Sequence, residues 1–369
     1  MPVLKKIVIQ DFRNIALQEL SFSPNINCIC GGNGEGKTNL LDAIHYLSMT
    51  KSGIRSSEKF NFRHGCSSFA ISGLYDLSNE SDVRFSVQVT EGSEKKVRRG
   101  DKCYDRVSEH IGVLPIVMVS PADTDLVSES GEERRKFANA FISQIDSRYL
   151  ADLQQYNRLL AQRNRLLKDR EPDESLLETF ELSMAPVAAR IAEKRSGFAE
   201  SMLPIVRSYY QEISGGREEV SIEYHTDLSK GSLDSLLKSC REKDRMLGFT
   251  TAGIHRDDFI FAMNGYPIRR CGSQGQQKSF LVALKFAQYE IMKNNRGFPP
   301  VLLLDDLFDK LDMERAGKLL RMVAGNDFGQ IFISDTDKSR TETLIDTNTA
   351  ERVYFLASGG TFTKIDGNL

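Results

Sequence analysis

The apolar positions change period twice along the chain. Up to about residue 125 they alternate or form short runs, the mark of strands. Residues 4–14 begin as an alternating strand and end in a polar turn, and Leu17, Leu20 and Phe22 predict a second strand. Ile26-Asn27-Cys28-Ile29-Cys30 reads as a short buried strand, and 39–47 carries apolar residues at helical spacing. Residues 68–75 and 83–89 read as antiparallel strands around Ser78-Asn79-Glu80, 94–100 as a basic strand tip, and 111–119 as an apolar strand interrupted by Pro115. Near Gly131 the period lengthens. Phe137, Phe141, Ile145, Tyr149, Leu153, Tyr156, Leu160 and Leu167 recur at multiples of three or four, which predicts one long amphipathic helix or two joined ones over 132–170. Glu171-Pro172-Asp173 breaks it. A second helical stretch runs from about 175 to 213, with Pro186 and Pro204 as candidate kinks and Gly215-Gly216 at its end. A strand at 220–224 and a helix at 233–243 follow. Strand character then returns. Residues 258–263 lead into an Asn264-Gly265 hairpin turn, an apolar helix covers 279–292, and Val301-Leu302-Leu303-Leu304-Asp305-Asp306 is a buried strand ending in two carboxylates. Residues 330–334 form one more buried strand, and 353–356 with 361–365 a closing hairpin. The expected organisation is α/β: residues 1–125 and 246–369 build one domain, and 126–245 form a mostly helical domain inserted into it.

Chemistry enters between the third strand and the first helix. Gly31-Gly32-Asn33-Gly34-Glu35-Gly36-Lys37-Thr38 satisfies G-x-x-x-x-G-K-[ST] at every fixed position. Glycines let backbone N–H groups turn inward around phosphate oxygens, Lys37 reaches the β/γ-phosphates, and Thr38 offers a hydroxyl to Mg²⁺. The strand before and the helix after are the context this motif requires, so ATP with Mg²⁺ is the expected ligand. Asp305, at the end of a buried parallel strand, is the expected second metal ligand beside Thr38. Asp306 is placed to orient or deprotonate the attacking water, which makes Lys37, Asp305 and Asp306 the catalytic candidates.

Composition adds little beyond exclusions. Net charge is -2, so no global field advertises nucleic acid. No apolar run approaches a membrane span, and Met1-Pro2-Val3-Leu4-Lys5-Lys6 lacks a hydrophobic signal region. The cysteines lack paired zinc-type spacing. A cytoplasmic protein with no membrane partner is the expectation.

Ser273-Gln274-Gly275-Gln276-Gln277-Lys278 stands before an apolar helix, as an anion site at a helix N-terminus would. In ABC-type ATPases the equivalent element is the signature motif, which caps the γ-phosphate held by the opposite protomer. Ser273, Gly275 and Gln276 are therefore nucleotide-contact candidates across a dimer interface. Asp309-Lys310-Leu311-Asp312 has the position of the loop that crosses that interface. The implied mechanism is an ATP sandwich: binding drives dimerisation and hydrolysis releases it.

Here the chain resembles the RecF family, bacterial recombination mediators of the ABC/SMC-like ATPase group. The resemblance rests on Asp11-Phe12-Arg13-Asn14, Gly31 through Ala43, Lys51-Ser52 with Arg55, and Ser120-Pro121-Ala122-Asp123 with Glu133-Arg134-Arg135-Lys136-Phe137. Gly253-Ile254-His255-Arg256-Asp257-Asp258, Gly272 through Lys278, and Leu302 through Asp312 complete it. It implies a P-loop ABC-type ATPase head of the Rad50-like kind with an inserted helical domain, and it adds Arg13 to the nucleotide-binding residues. It further implies an ATP-dependent homodimer on DNA (duplex, gaps or single/double-strand junctions), working with RecO and RecR to load RecA. Asp257 and Asp258 would then brace the signature region. The chain departs from the family pattern at Asp309-Lys310, at Asn139, and at Thr336, where many ABC ATPases carry a switch histidine. Without that imidazole, turnover is expected to be weak, DNA-stimulated and slow. Lys95-Lys96, Arg98-Arg99, Arg134-Arg135-Lys136, Arg163, Arg165 and Arg269-Arg270 are the candidate phosphate contacts, with Arg134 and Arg135 foremost. The alternative, the nucleotide-binding subunit of an ABC transporter, is disfavoured by the large helical insertion. A long-arm coiled-coil ATPase is disfavoured because helices of about 40 residues reach only roughly 60 Å.

Overall fold

The structure, a computed structural model, describes residues 1–54, 57–169, 173–306, 315, 317–319, 322, 328–336 and 351–365. The chain divides into two compact units: Met1–Thr124 with Glu212–Gly215 and Gln274–Leu369, and Asp125–Gln211 with Gly216–Ser273.

The first unit holds two six-stranded sheets. One is antiparallel, ordered Ile15–Ser21, Val3–Phe12, Ser68–Leu77, Glu80–Thr90, Lys96–Arg99, Lys102–Cys103. Its alternation is visible in Ser68–Leu77, where Phe69, Ile71, Gly73 and Tyr75 are buried and the residues between them are half-exposed. The other sheet is ordered Thr361–Ile365, Arg352–Ser358, Ile26–Cys30, Ile331–Asp335, Val301–Asp305, Ile116–Val119. Every pair in it is parallel except the edge hairpin formed by Thr361–Ile365. Its inner strands Ile26–Cys30, Ile331–Asp335 and Val301–Asp305 are buried along their whole length, as apolar runs rather than alternations predict. The strand expected over 111–119 is shorter. It starts at Ile116, because Pro115 has no N–H to give a ladder and contributes only its carbonyl, which accepts from the Val301 amide at 3.0 Å.

Helix Lys37–Met49 touches strands of both sheets and is buried on nearly all sides. Its polar residues are accordingly paired. Asp42 accepts from the Ser52 hydroxyl (2.8 Å) and the Gly53 amide (2.7 Å), and lies 2.5 Å from the Arg13 guanidinium. Tyr46 bonds Glu58 and packs edge-on against Phe12 and Phe69 at 5.8 and 5.3 Å. Lys95, a candidate DNA contact from the sequence, closes the far end of this helix instead. Its ammonium donates to the Thr50 carbonyl (2.5 Å) and to Glu58 (3.2 Å).

The second unit is mainly helical. The pattern over 132–170 resolves as two helices, Gly131–Ile145 and Ser147–Leu166. Asp146 separates them and caps the second, accepting from the Arg148 and Tyr149 amides at 3.0 and 3.1 Å. Helix Glu174–Ser214 runs through both Pro186 and Pro204 for 41 residues. The expected break at 171–172 lies outside the described residues. Strand Val220–His225 pairs antiparallel with Asp258–Met263, which turns at Asn264 and Gly265 (φ 50° and 81°) into Tyr266–Pro267. That pairing carries 246–273 into the helical unit, whereas the return to the first domain was expected at 246.

Three helices of this unit meet around a buried arginine. Arg163 is fully buried and donates to Glu181 Oε1 (2.9 Å), Asp244 Oδ2 (2.7 Å) and the Thr250 hydroxyl (2.8 Å). Asp244 also accepts from the Thr251 amide and hydroxyl, and Glu181 from Arg241. A second buried arginine, Arg195, donates to Asp257 (2.7 Å), the Ile254 carbonyl (2.7 Å) and Asn139 (3.0 Å).

Candidate nucleotide-binding site

Parallel register brings the site together. Asp305 pairs with Ser334, Ser334 with Ile29, and Asp335 with Cys30, so three strands end at one edge and the glycine-rich loop leaves from it. Gly36 stands just before helix Lys37–Met49 with φ 102°, where an L side chain is strained, and an added Cβ would meet the Asn14 amide at 2.6 Å. Lys37 is buried and its ammonium donates to the Gly31 and Gly32 carbonyls at 2.8 and 2.9 Å. The positive charge therefore sits inside the loop, at the positive end of a helix.

The Thr38 hydroxyl donates to Asp305 Oδ1 at 3.0 Å, and the Ser334 hydroxyl donates to the same oxygen at 2.6 Å. Asp305 Oδ2 is buried with no hydrogen-bond partner. Burial holds the Asp305 carboxyl above the usual carboxylate range, Ser334 and Thr38 pull it partly back, and Asp306 nearby adds to the rise. A buried carboxylate oxygen without a partner, beside a threonine hydroxyl and a lysine-bearing loop, fits a hard divalent cation accompanying a phosphate. Asp306 follows the strand with φ 43°, its amide donating to Ser334 at 3.1 Å and its carbonyl accepting from Lys278 at 3.3 Å.

The structure thus gathers Lys37, Thr38, Asp305 and Asp306 from the expected set, with Gly31, Gly32, Asn33, Gly34 and Gly36 forming the loop. Ser334 was not singled out. Its signal was a small hydroxyl residue ending the buried strand next to the carboxylate strand. Two charged side chains of the expected set are engaged by protein partners. Arg13 is spent on Asp42, Asn39 (3.0 Å), Ser52 (2.9 Å) and Asn61 (3.0 Å) along the flank of the helix. The Glu35 carboxylate accepts from the Gly359 amide. Ser273 directly precedes helix Gln274–Arg296, whose first turn holds Gly275 and Gln276. The expected interface loop 309–312 and Arg55 lie outside the described residues.

Comparison with known proteins decides the lineage. The profile of the RecF/RecN/SMC N-terminal domain matches residues 3–359. The DNA replication and repair protein RecF of Parabacteroides distasonis is 43% identical over 93% of this chain and 94% of its own. The chain belongs to the RecF family. The solved recombination mediator protein RecF-ATP of the RecFOR pathway superposes with TM-score 0.88 at 30% identity, covering 99% of this chain and 98% of that one. An Smc head domain from Pyrococcus furiosus superposes with TM-score 0.59 at 15% identity over 99% of this chain and 96% of its own, so the ATPase-head fold is shared. A RecF-family DNA replication and repair role replaces the transporter alternative, and among the described residues no helix is long and apolar enough to cross a membrane.

Several RecF-type motif residues turn out to be internal braces. Arg134 is buried and forms a two-pronged pair with Asp258 (2.8 and 3.0 Å), which removes it as a leading phosphate contact. Arg135 is half-buried, donating to the Asp257 carbonyl at 2.5 Å. Arg163 is also internal. Asp257 and Asp258 bond Arg195, Tyr224 and Arg134, so they brace the helical unit itself. His255 bonds Tyr156 (2.9 Å) and the Thr250 carbonyl (3.1 Å), and burial lowers its pKa, as for a structural histidine. Lys96, Arg98, Arg165, Arg269 and Arg270 are exposed.

Proposed function

We propose that this chain is an ATP-gated DNA-binding clamp of recombinational repair, in which two copies share nucleotide and ATP binding drives them together on duplex or gapped DNA. The observation that carries the nucleotide reading is the meeting of Thr38 and Asp305 at the mouth of the lysine-bearing loop, with Asp305 Oδ2 buried and without a partner. Loop amides and Lys37 would take the phosphates. Thr38 and Asp305 would hold Mg²⁺, which when bound neutralises the phosphate charge. Asp306 would orient the attacking water. Ser273, Gly275 and Gln276 would face the γ-phosphate of the opposite copy, from the head of a helix. RecO, RecR and, through them, RecA are the proposed partners, which the family membership supports. Slow hydrolysis would release the clamp.

The test is sedimentation with duplex-DNA binding, with and without Mg²⁺-ATP, on wild type, Lys37→Ala and Ser273→Arg. ATP is expected to dimerise the wild type and raise its DNA affinity about tenfold or more, while both variants stay monomeric. A wild type that binds ATP yet neither dimerises nor changes its DNA affinity would sink the clamp.

A further inference from the structure

The outer wall of the phosphate loop is built from segments at opposite ends of the chain. The turn that joins Arg352–Ser358 to Thr361–Ile365 sits on the loop: the Gly360 amide donates to the Glu35 carbonyl at 3.0 Å, and the Gly359 amide donates to the Glu35 carboxylate. Space is tight at three glycines of this wall, Gly31, Gly36 and Gly360. A Cβ on Gly31 would stand 2.7 Å from the Ala357 carbonyl oxygen, one on Gly36 2.6 Å from the Asn14 amide, and one on Gly360 2.3 Å from the Asn14 carbonyl oxygen. Asn14 is in turn held by the Asn39 amide at 2.8 Å. Glu35 occupies one of the unspecified positions of the G-x-x-x-x-G-K-T pattern, and its carboxylate is engaged by the hairpin on the outside of the loop.

We infer that Glu35 and the Gly359–Gly360 turn form a latch that pre-shapes the phosphate loop, making Glu35 a positioning residue for nucleotide rather than a contact to it. This deepens the nucleotide reading above and rests on it. A loop with this many glycines loses much conformational freedom when it wraps an anion. Two bonds that fix it beforehand remove part of that cost from binding, which is how pre-organisation raises affinity. The latch also keeps an acidic side chain turned away from the phosphates, which it would otherwise repel.

The hairpin has a second tie that bypasses the loop. The Gln18 amide donates to the Phe362 carbonyl and the Phe362 amide donates back to the Gln18 oxygen, each at 3.1 Å. This separates positioning from general support. The experiment is calorimetric titration of the full-length protein with Mg²⁺-ATP, alongside thermal melting and amide exchange over residues 31–36 without nucleotide. Glu35→Ala is expected to raise the Kd about tenfold and speed exchange of the loop amides. Glu35→Gln, which still offers an oxygen to Gly359, should stay within about twofold. Gln18→Ala should lower the melting temperature and leave the Kd unchanged. Wild-type affinity in Glu35→Ala overturns the latch, and so does a Gln18→Ala variant that weakens ATP equally. Lys37→Ala in the same series tests the underlying reading: if the wild type does not bind ATP, or Lys37→Ala binds it equally well, nucleotide binding at this loop is refuted and the latch's purpose with it.

Discussion

Asp305→Asn is expected to make the nucleotide-free protein melt about 2 °C higher while cutting ATP turnover ~10²- to 10³-fold. Both effects follow from one feature. Asp305 is buried, one of its oxygens has no partner, and its pKa is raised because burial disfavours the charged form. A group whose pKa is raised on folding contributes stability at pH below its unfolded value and loses that contribution as pH rises through the folded value. At pH above its raised folded value the ionised carboxylate is therefore a cost to the resting fold, and an amide of the same shape relieves it. The melting advantage of the variant should shrink as pH falls toward the carboxylate range, where the wild type becomes neutral too. Turnover moves the other way, since a neutral amide cannot supply the charge that Mg²⁺ requires. Melting scans across pH, paired with a phosphate-release assay, check both halves. A variant that melts lower at neutral pH while retaining turnover would remove Asp305 from the metal site.

Arg163→Met should destabilise the helical unit by about 3–5 kcal/mol, because removing one partner of a buried ion pair leaves its carboxylates uncompensated. Arg163 holds Glu181 and Asp244 from two other helices and also Thr250, all shielded from water. Glu181 keeps Arg241 and Asp244 keeps Thr251, so the loss should fall within that range rather than above it. Urea unfolding followed by probes in each unit is the measurement. The transition of the helical unit should move to lower denaturant, while ATP binding at low temperature is retained. A shift equivalent to less than about 1 kcal/mol would mean that the network is solvated or rearranges freely.

What could be read from the chain alone was whatever is local. The phosphate loop has fixed spacing, and Val301–Asp305 announces itself as an apolar run closing on carboxylates. The helical period over 132–170 was legible too, as one helix or two joined ones, but the join at the capping Asp146 came only with the structure. What escaped were partnerships made at long range. Ser334 gains its role only because parallel register sets it opposite Asp305. Arg134 looks like a surface cation until Asp258, far along the sequence, is found beside it. Arg13 and Glu35 lie within or near the nucleotide motif, yet their charges are engaged by Asp42 and by the distant Gly359. Residue type predicted the chemistry, and tertiary pairing decided which charges remain available for it.

The order of strands around Ile26–Cys30 has a consequence for how the protein is born. Its neighbours in the sheet are Ile331–Asp335 and Arg352–Ser358, so during synthesis the loop-bearing strand waits for about 300 further residues, roughly 15–60 s at ordinary elongation rates, before either arrives. The antiparallel sheet needs nothing beyond Cys103 and can form early. The candidate nucleotide pocket is thus among the last structures to mature, and under the proposed function a nascent chain could take up ATP only once nearly the whole polypeptide has emerged.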